Sequence, residues 1–351
     1  MAASSTFVSA VAGDVASAAL NFYIKGPAFA QTIQDRPLLR TLEANKKTFS
    51  GGVGAIKGNV RGSYLDSDTD FFAGYTEDEA LLFDPSDGLV QFSYNWYELH
   101  AGLVITWSEL KKDGISIVDG KDSTSKHSGA DAHRITPLLE DRLADFGESW
   151  AREMNAMLWK DGSQDSEAVP GILSILTDTA AVGTTGNINR ATYDWWRHRV
   201  DLALAPSAAN QTMTKALRSE ARQLRRYGGR PTIALCGSDF IEALELEVHE
   251  KGYYTDMGFI NKGKTDVGMA DISLRGMGTF QYDPTLDDLG LTKRCYIIDP
   301  KTIVLRPMEG EENKLVSPER PYNYAVFLKS MFWTGGLICK QLNANGVYAI
   351  A

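Results

Sequence analysis

An apolar stripe at helical spacing constrains this chain more than any other feature. The stripe begins beside Thr136 and Pro137 and stops before Asp161 and Gly162. Its members are Ile135, Leu138, Leu139, Leu143, Phe146, Trp150, Met154, Met157 and Leu158. We predict an amphipathic helix over about residues 136–160, roughly 36 Å long, with Thr136 as its N-cap and Pro137 in its first turn. Because one face is apolar, the helix is expected to lie on another element.

A second pattern, with a period of two, predicts strand structure over residues 90–107. Aromatic residues alternate with polar ones at Phe92, Tyr94 and Trp96, and the alternation then resumes one step out of phase. The resumed set is Leu99, Ala101, Leu103, Ile105 and Trp107. The slip indicates either a bulge or a point where the strand changes environment. As one strand this segment would span roughly 55–60 Å, so part of it is expected to project and to need a partner surface.

Shorter patterns predict the remaining elements. Residues 7–22 carry apolar side chains on one face of a short helix, which docks either on its own domain or on a neighbouring subunit. Pro37, Leu38, Leu39 and Leu42 form a small apolar anchor. A helix from Thr212 turns Met213, Leu217, Ala221 and Leu224 inward, and a buried strand at 231–236 precedes a helix capped by Ser238. Further strands are expected at 294–299, 302–305 and 324–333.

Composition narrows the class of protein. The chain has 351 residues, 43% of them hydrophobic and 23% charged, which is ordinary for a globular protein. It contains no apolar run long enough to span a bilayer and no positively charged start of a secretory signal, so we expect a protein made in the cytosol. Cys236, Cys295 and Cys339 are widely spaced and are expected to be reduced and buried. A net charge of −9 argues against a protein that mainly coats nucleic acid.

Several short motifs match the sequence patterns of active sites but lack the flanking strands, helices or glycines that those sites need. Residues 258–265 match the phosphate-binding pattern G-x-x-x-x-G-K-[ST], but no buried strand precedes them and a glycine interrupts any following helix. Residues 52–58 lack the last glycine of a dinucleotide loop, and His127, Asp131 and His133 lie in a segment rich in Ser, Gly and Asp. The arginines of residues 218–230 are interpreted as a solvated face or as intersubunit ion pairs. We therefore predict no catalytic, cofactor or metal site.

The order of elements after the long helix resembles a known family. A Pro170-Gly171-Ile172-Leu173 turn follows the helix, and then come a loop rich in Gly and Thr and the aromatic pair Trp195-Trp196. This order is similar to that of the major capsid proteins of tailed bacteriophages, which have the Hong Kong 97 fold. The resemblance implies an α+β fold and a structural role in a shell. The two tryptophans diverge on any regular backbone, so either one is internal and the other lies at a subunit contact, or they fill two core layers.

The resemblance also implies a division of the chain and a set of partners. It implies an N-terminal arm (1–49), an extended loop (50–91), a peripheral domain with the spine helix (92–180), a mainly axial domain (181–300) and returning C-terminal strands (301–351). Pentamers and hexamers would close into an icosahedral shell around double-stranded DNA. The expected intersubunit contacts are Lys57, Arg61, Phe71, Phe72, Tyr94, Trp96, Trp195, Trp196 and Arg197.

The resemblance implies further partners, and two alternatives to a phage shell stay open. The partners would be a separate scaffolding protein, a portal protein, a decoration protein as an optional partner, and DNA held weakly without sequence specificity, with no membrane. The protein would reside in the virion capsid after assembly in the host cytoplasm. An encapsulin-like nanocompartment would share the fold but enclose enzymes. A P-loop enzyme using Lys264 is the alternative of a different class.

Overall fold

The computed structural model describes residues 34–62, 64, 75–78, 88–106, 108–109, 129–207, 209–249, 272–274, 277–315 and 326–351. The chain forms two compact units. The larger comprises Asp35–Glu98, Asn155–Glu309 and Thr334–Ala351, and the smaller comprises Met1–Gln34, Leu99–Met154 and Gly310–Trp333. The predicted helix at residues 7–22 and the segment 258–265 lie outside the described residues, as do His127, Phe71 and Phe72.

Helices and strands are mixed along the chain. The helices are α1 (Pro37–Ala44), α2 (Gly129–Trp159), α3 (Ile172–Ile175), α4 (Thr212–Arg225), α5 (Ser238–His249) and α6 (Pro284–Asp288). The strands are β1 (Ile56–Arg61), β2 (Leu89–Tyr94), β3 (Tyr97–Thr106), β4 (Thr184–Thr185), β5 (Ile188–Asn189), β6 (Arg199–Leu204), β7 (Ile233–Cys236), β8 (Ile272–Leu274), β9 (Gly278–Tyr282), β10 (Arg294–Ile298), β11 (Ile303–Pro307), β12 (Lys314–Leu315), β13 (Val326–Cys339) and β14 (Gly346–Ile350).

A six-stranded sheet organises the larger unit. Its strand order is β6-β14-β10-β7-β9-β8, with parallel pairs at β14–β6 and β7–β9 and antiparallel pairs elsewhere. The C-terminal strand β14 therefore lies inside this sheet, between β6 and β10. The central strand β10 is buried at Cys295, Tyr296, Ile297 and Ile298, as expected for a strand covered on both faces.

Helices α4 and α5 cover one face of that sheet. The inward residues of α4 are those predicted from the sequence, Met213, Leu217, Ala221 and Leu224, and all four are buried. They pack in one core cluster with Phe240 and Leu244 of α5 and with Cys236, Phe280 and Ile297 of the sheet. The predicted helix–strand–helix arrangement is confirmed, and Cys236, Cys295 and Cys339 are free and buried, as predicted.

A buried carboxylate joins the two covering helices. Glu247 of α5 is 1% exposed and accepts hydrogen bonds from the backbone N–H groups of Met213 (3.1 Å) and Thr214 (2.9 Å) in the first turn of α4. It also accepts from the Thr214 hydroxyl and from the N–H of Ser207, both at 2.9 Å. Burial opposes the ionised form, but these hydrogen bonds outweigh it and lower the pKa of Glu247. Glu247 thus supplies the cap that α4 lacks locally, because Gln211 provides no side-chain cap.

The long helix α2 exists but begins earlier than predicted. It starts at Gly129, so the assignments of Thr136 as N-cap and Pro137 as a first-turn residue are wrong. Ala130, Ala132 and Arg134 favour helix. The helix continues through Pro137 although proline has no backbone N–H to donate, so one helical hydrogen bond is missing there. The predicted stop near Gly162 is confirmed, since α2 ends at Trp159 and Gly162 has φ +89°.

Buried polar contacts anchor the last turn of α2 in the larger unit. The Asn155 amide accepts from the N–H of Leu39 at 3.1 Å and donates to the Thr285 hydroxyl at 2.7 Å. The Trp159 indole donates to Asp283 at 2.9 Å and packs on the Tyr296 ring. Leu38, Leu39 and Leu42 of α1 are buried, which confirms the predicted anchor.

The Pro-Gly turn after α2 is fixed by close packing. The N–H of Gly171 donates to Lys160 O at 2.8 Å, and a Cβ at Gly171 would lie 2.1 Å from Leu158 O. Only glycine allows this approach to the helix end. Val169, Ile172 and Leu176 are fully buried around the turn.

The phase slip marks the border between two strands. β2 ends at Tyr94, β3 begins at Tyr97, and the two strands pair with different partners, β1 and β13 respectively. The prediction of a change in environment is confirmed, whereas a single strand over residues 90–107 is wrong. In β3 the alternating faces are half-buried and exposed, and none of its residues is fully buried. β13 also pairs antiparallel with β11 at Gly335–Cys339 and with β12 at Met331–Phe332.

The Glu247 cap yields the first prediction. Glu247→Gln replaces two carboxylate acceptors with one acceptor and an NH₂ donor that faces backbone donors. We expect a loss of about 1–3 kcal/mol in the free energy of unfolding, measured by urea denaturation of the unassembled chain. The exposed Glu242→Gln on the same helix is the matched control and should change little. Equal stability of both variants would contradict the role given to Glu247.

Candidate assembly surface

The base of the predicted extended loop is a two-stranded ribbon seated on the larger unit. β1 and β2 pair antiparallel from Ile56↔Tyr94 to Arg61↔Leu89. Ile56 is buried against Val304 and Ile338, and Phe92 is 5% exposed. A Cβ at Gly58 would lie 2.4 Å from the Phe92 ring, so the ring lies directly over this glycine. The covered face gives the ribbon the support that an isolated hairpin lacks.

The two ends of the loop meet at paired glycines. The N–H of Gly62 donates to Gly88 O at 3.1 Å, directly beyond the last register pair of the ribbon. A Cβ at Gly62 would lie 1.8 Å from the Trp195 ring. The chain thus leaves and re-enters the ribbon at one point, and the indole of Trp195 packs against that point.

The adjacent tryptophans differ in burial, although their rings contact each other edge-to-face with centroids 5.8 Å apart. Trp196 is 1% exposed and its indole donates to Thr185 O at 3.0 Å, whereas Trp195 is half-buried and packs on Tyr193 and on Trp196. Both lie in a 3₁₀ turn, Asp194–Trp196. Trp196 is therefore a core residue of its own subunit, and its prediction as an intersubunit contact is wrong because no surface of its ring is available. Trp195 stays in the predicted set.

Arg197 is held by its own chain. Its guanidinium donates to Arg190 O at 2.7 Å and Ala191 O at 3.1 Å, and it pairs with Asp194 at 2.5 Å. Lys57 and Arg61, in contrast, are exposed on β1, and Arg61 lies over the Tyr64 ring at 5.8 Å. These side chains stay predicted contacts, with the ribbon residues better placed to reach a partner.

Tyr94 and Trp96 make contacts within the subunit at the end of the ribbon. The Trp96 indole donates to Val53 O at 3.0 Å. The Tyr94 ring packs against Gly186, where a Cβ would lie 2.7 Å away, and burial raises the pKa of Tyr94 well above its usual range. Within the described residues the Tyr94 hydroxyl has no hydrogen-bond partner. It borders a 340 Å³ cavity whose lining includes Thr184 and Pro170.

A buried arginine–histidine pair stabilises the segment that carries Trp195. Arg190 is 3% exposed and donates to the Thr177 hydroxyl at 2.7 Å and to Thr179 O at 3.2 Å. His198 is 2% exposed, with Nε2 2.6 Å from Thr177 O and Nδ1 3.4 Å from Arg190. These partners assign a neutral ring that donates through Nε2 and accepts at Nδ1. Burial first, and then the Arg190 charge, lower the pKa of His198 to about 4.

Sequence reasoning missed a group of cations near the ribbon. A groove of about 920 Å³ is lined by Lys57 and Arg61 of β1 together with Arg306 and Lys340, which lie far away in sequence. No acidic residue is among its described lining. The two distant cations gave no signal in the sequence, because only the pairing of β11 with β13 brings them beside β1.

Comparisons with solved structures identify the fold. The cyanophage A-1(L) capsid matches 92% of this chain and 94% of its own, at 14% identity and a TM-score of 0.64. The capsid of the native GTA particle matches 96% and 98%, at 15% identity and a TM-score of 0.55. The capsid of Myoviridae phage XM1 matches 93% and 95%, at 10% identity and a TM-score of 0.55. No protein-family model and no curated protein matches the sequence.

These likenesses establish an α+β fold shared with capsid shell proteins. The fold is the Hong Kong 97 fold, so the resemblance drawn from the sequence is confirmed at the level of fold. Among the described residues, no helix is both long and apolar enough to cross a membrane, and no three potential metal ligands cluster.

The packing of Trp195 on Gly62 gives a prediction for the loop base. Gly62→Ala places a methyl group inside the indole and should displace it, with a loss of about 1–3 kcal/mol in the free energy of unfolding. Thermal unfolding and tryptophan fluorescence measure both effects. Gly54→Ala is the control, since nothing lies within 4 Å of its added Cβ. Unchanged fluorescence and stability in Gly62→Ala would disprove the contact.

His198 gives a pH prediction. The folded ring has a pKa of about 4, below the ordinary 6.5, so between these values the unfolded chain binds a proton that the folded chain excludes. Stability should therefore fall by up to about 3 kcal/mol as pH drops from 6.5 to 4. His198→Asn should flatten that part of the urea-unfolding profile, whereas the exposed control His100→Asn should keep it. An unchanged slope in His198→Asn would refute the assignment.

Proposed function

We propose that this chain is the major capsid protein of a tailed phage, which assembles as pentamers and hexamers into an icosahedral shell around double-stranded DNA. The observation that carries the proposal is the match to capsid structures over more than nine-tenths of both chains. By analogy of fold, a match of that extent favours a structural role over an enzymatic one.

Incomplete burial of β3 supports the same proposal. Leu99, Ala101, Leu103 and Ile105 share one face of a ten-residue strand, and that face is only half-buried in the subunit. Exposed apolar side chains also lie on neighbouring strands, with Leu315 at 55% and Phe332 at 38% exposure. Sister copies would cover such surfaces, since obligate interfaces commonly bury about 2,000 Å² or more.

The proposal also assigns each segment of the chain to a part of the capsid subunit. Residues 1–49 act as the N-terminal arm, 50–91 as the extended loop, 92–180 as the peripheral domain with the spine helix, 181–300 mainly as the axial domain and 301–351 as C-terminal strands that return to the peripheral and axial sheets. Lys57, Arg61, Phe71, Phe72, Tyr94, Trp96, Trp195 and Arg197 would lie at or near subunit contacts. A scaffolding protein, a portal and weakly held DNA are the further partners, with a decoration protein as an optional one, and the protein assembles in the host cytoplasm and resides in the virion.

Removal of the extended loop tests the proposal. Because Gly62 and Gly88 are hydrogen-bonded, residues 63–87 can be replaced by an Asn-Gly turn without disturbing the ribbon. We expect a folded subunit, shown by an unchanged circular dichroism spectrum and cooperative unfolding, that forms no closed particles in negative-stain images. The full-length chain under the same conditions should form uniform polyhedral particles.

A second variant separates the length of the loop from its side chains. A Gly/Ser linker of equal length in place of residues 63–87 keeps the span and should still fail to close shells. Normal particles from the shortened chain would refute the role of the loop. A full-length chain that stays monomeric under all assembly conditions would refute the shell function itself.

A further inference from the structure

The groove beside β1 carries an excess of positive charge that its own subunit does not balance. Lys57, Arg61, Arg306 and Lys340 line it, and none of them forms an ion pair within the described part of the chain. This is unusual for a protein with a net charge of −9. Four cations around one groove repel each other, so an anionic occupant would be favoured.

Arg306 of the groove has a hydrogen-bond donor without a partner. One Nη donates to Thr48 O at 3.3 Å, while Nε is buried and has no partner within the described residues. Burial, and then the charges of Arg306 and Lys47, lower the pKa of Lys340. An unpaired buried guanidinium donor costs free energy that a carboxylate ligand would recover through a charge-assisted hydrogen bond.

The same chain contains a segment of opposite charge. Residues 62–88 contain Asp66, Asp68, Asp70, Glu77, Asp78, Glu79, Asp84 and Asp87 and no Lys or Arg. The described part of this segment includes the Tyr75–Asp78 turn, in which Glu77 and Asp78 are exposed and Tyr75 is 70% exposed. The turn thus combines two carboxylates with an aromatic ring.

The groove has apolar walls that suit such a ring. Phe49, Val53 and Ile338 lie between its cations, and Val53 is 51% exposed. A segment with carboxylates and an aromatic side chain matches both the charge and the apolar part of the lining. A phosphate backbone would match only the charge.

We propose that the Tyr75–Asp78 turn of one copy docks in the basic groove of a neighbouring copy, with its carboxylates facing Lys57, Arg306 and Lys340. The inference rests on the proposed shell function and adds the partner and chemistry of one contact. Each copy offers one acidic turn and one basic groove, so the contact is head-to-tail and can repeat around a ring of subunits.

Charge reversal in both partners tests the contact. The groove variant is Lys57→Glu with Lys340→Glu, and the turn variant is Glu77→Lys with Asp78→Lys. Each alone should reduce the sedimenting, assembled fraction about tenfold or more at low salt, because like charges then face each other across the interface. The chain that combines all four substitutions should recover assembly. Lys215→Glu with Lys301→Glu, at exposed positions outside the groove, is the control of equal charge change and should assemble normally.

Mixing the two variants shows whether the contact joins different copies. With separate affinity tags, the groove variant should co-purify with the turn variant more strongly than either does with itself, because only the mixed pair has opposite charges. Rescue in the combined chain without such association would place the turn in the groove of its own subunit and overturn the proposal. Thermal unfolding checks that each variant folds. If the groove variant does not, Lys57→Gln with Lys340→Gln replaces it in the assembly test only, because that change removes the attraction without reversing the charge.

Two further outcomes would overturn the contact while leaving the shell function intact. Normal assembly of both single-partner variants would show that the groove is not an interface. Normal assembly of the groove variant with reduced DNA retention in its particles would assign the groove to nucleic acid. If the wild-type chain itself forms no particles or rings, the proposed function fails, while the association of the oppositely charged variants is still scored by co-purification.

Discussion

A two-stranded ribbon holds its shape in water only when one of its faces is covered, and much of this structure depends on how β1 and β2 meet that constraint. Ile56 packs on Val304 and Ile338, and the Phe92 ring covers Gly58. This contact fixes where the loop after Gly62 leaves the larger unit, and Trp195, Arg306 of β11 and Lys340, which follows β13, lie in the same region. The proposed assembly surface is a consequence of how the ribbon is covered.

Buried polar groups stabilise the larger unit where its helices meet each other and neighbouring segments. Glu247 joins α5 to the start of α4, and Asn155 joins the end of α2 to α1 and to Thr285. Arg190 and His198 hold the segment before β6 around Thr177. Each group makes hydrogen bonds to more than one segment of the chain, so these contacts fix orientation where apolar packing alone would permit sliding. Such fixed contacts suit the proposed shell function, in which every copy presents the same surfaces.

Local patterns in the sequence were reliable wherever one face of an element meets a core. The inward face of α4, the alternation in β3, the slip between Tyr94 and Tyr97 and the burial of the cysteines are all present. The start of α2 was wrong because a proline was interpreted as a boundary, although the residues before it also favour helix. The segment 258–265 and the predicted N-terminal helix lie outside the described residues, so those predictions stand as they were made.

The sequence by itself determined which helix and strand faces are apolar and which segments carry net charge, because periodicity and composition are local properties of the chain. It also supported the order of elements from which the fold was inferred. Only the tertiary structure decided that Trp196 is internal while Trp195 covers Gly62, and that Lys57, Arg306 and Lys340 surround one groove. Those outcomes depend on contacts between residues far apart in the sequence, such as Gly62 with Trp195 and Ile56 with Val304, and no local pattern contains that information.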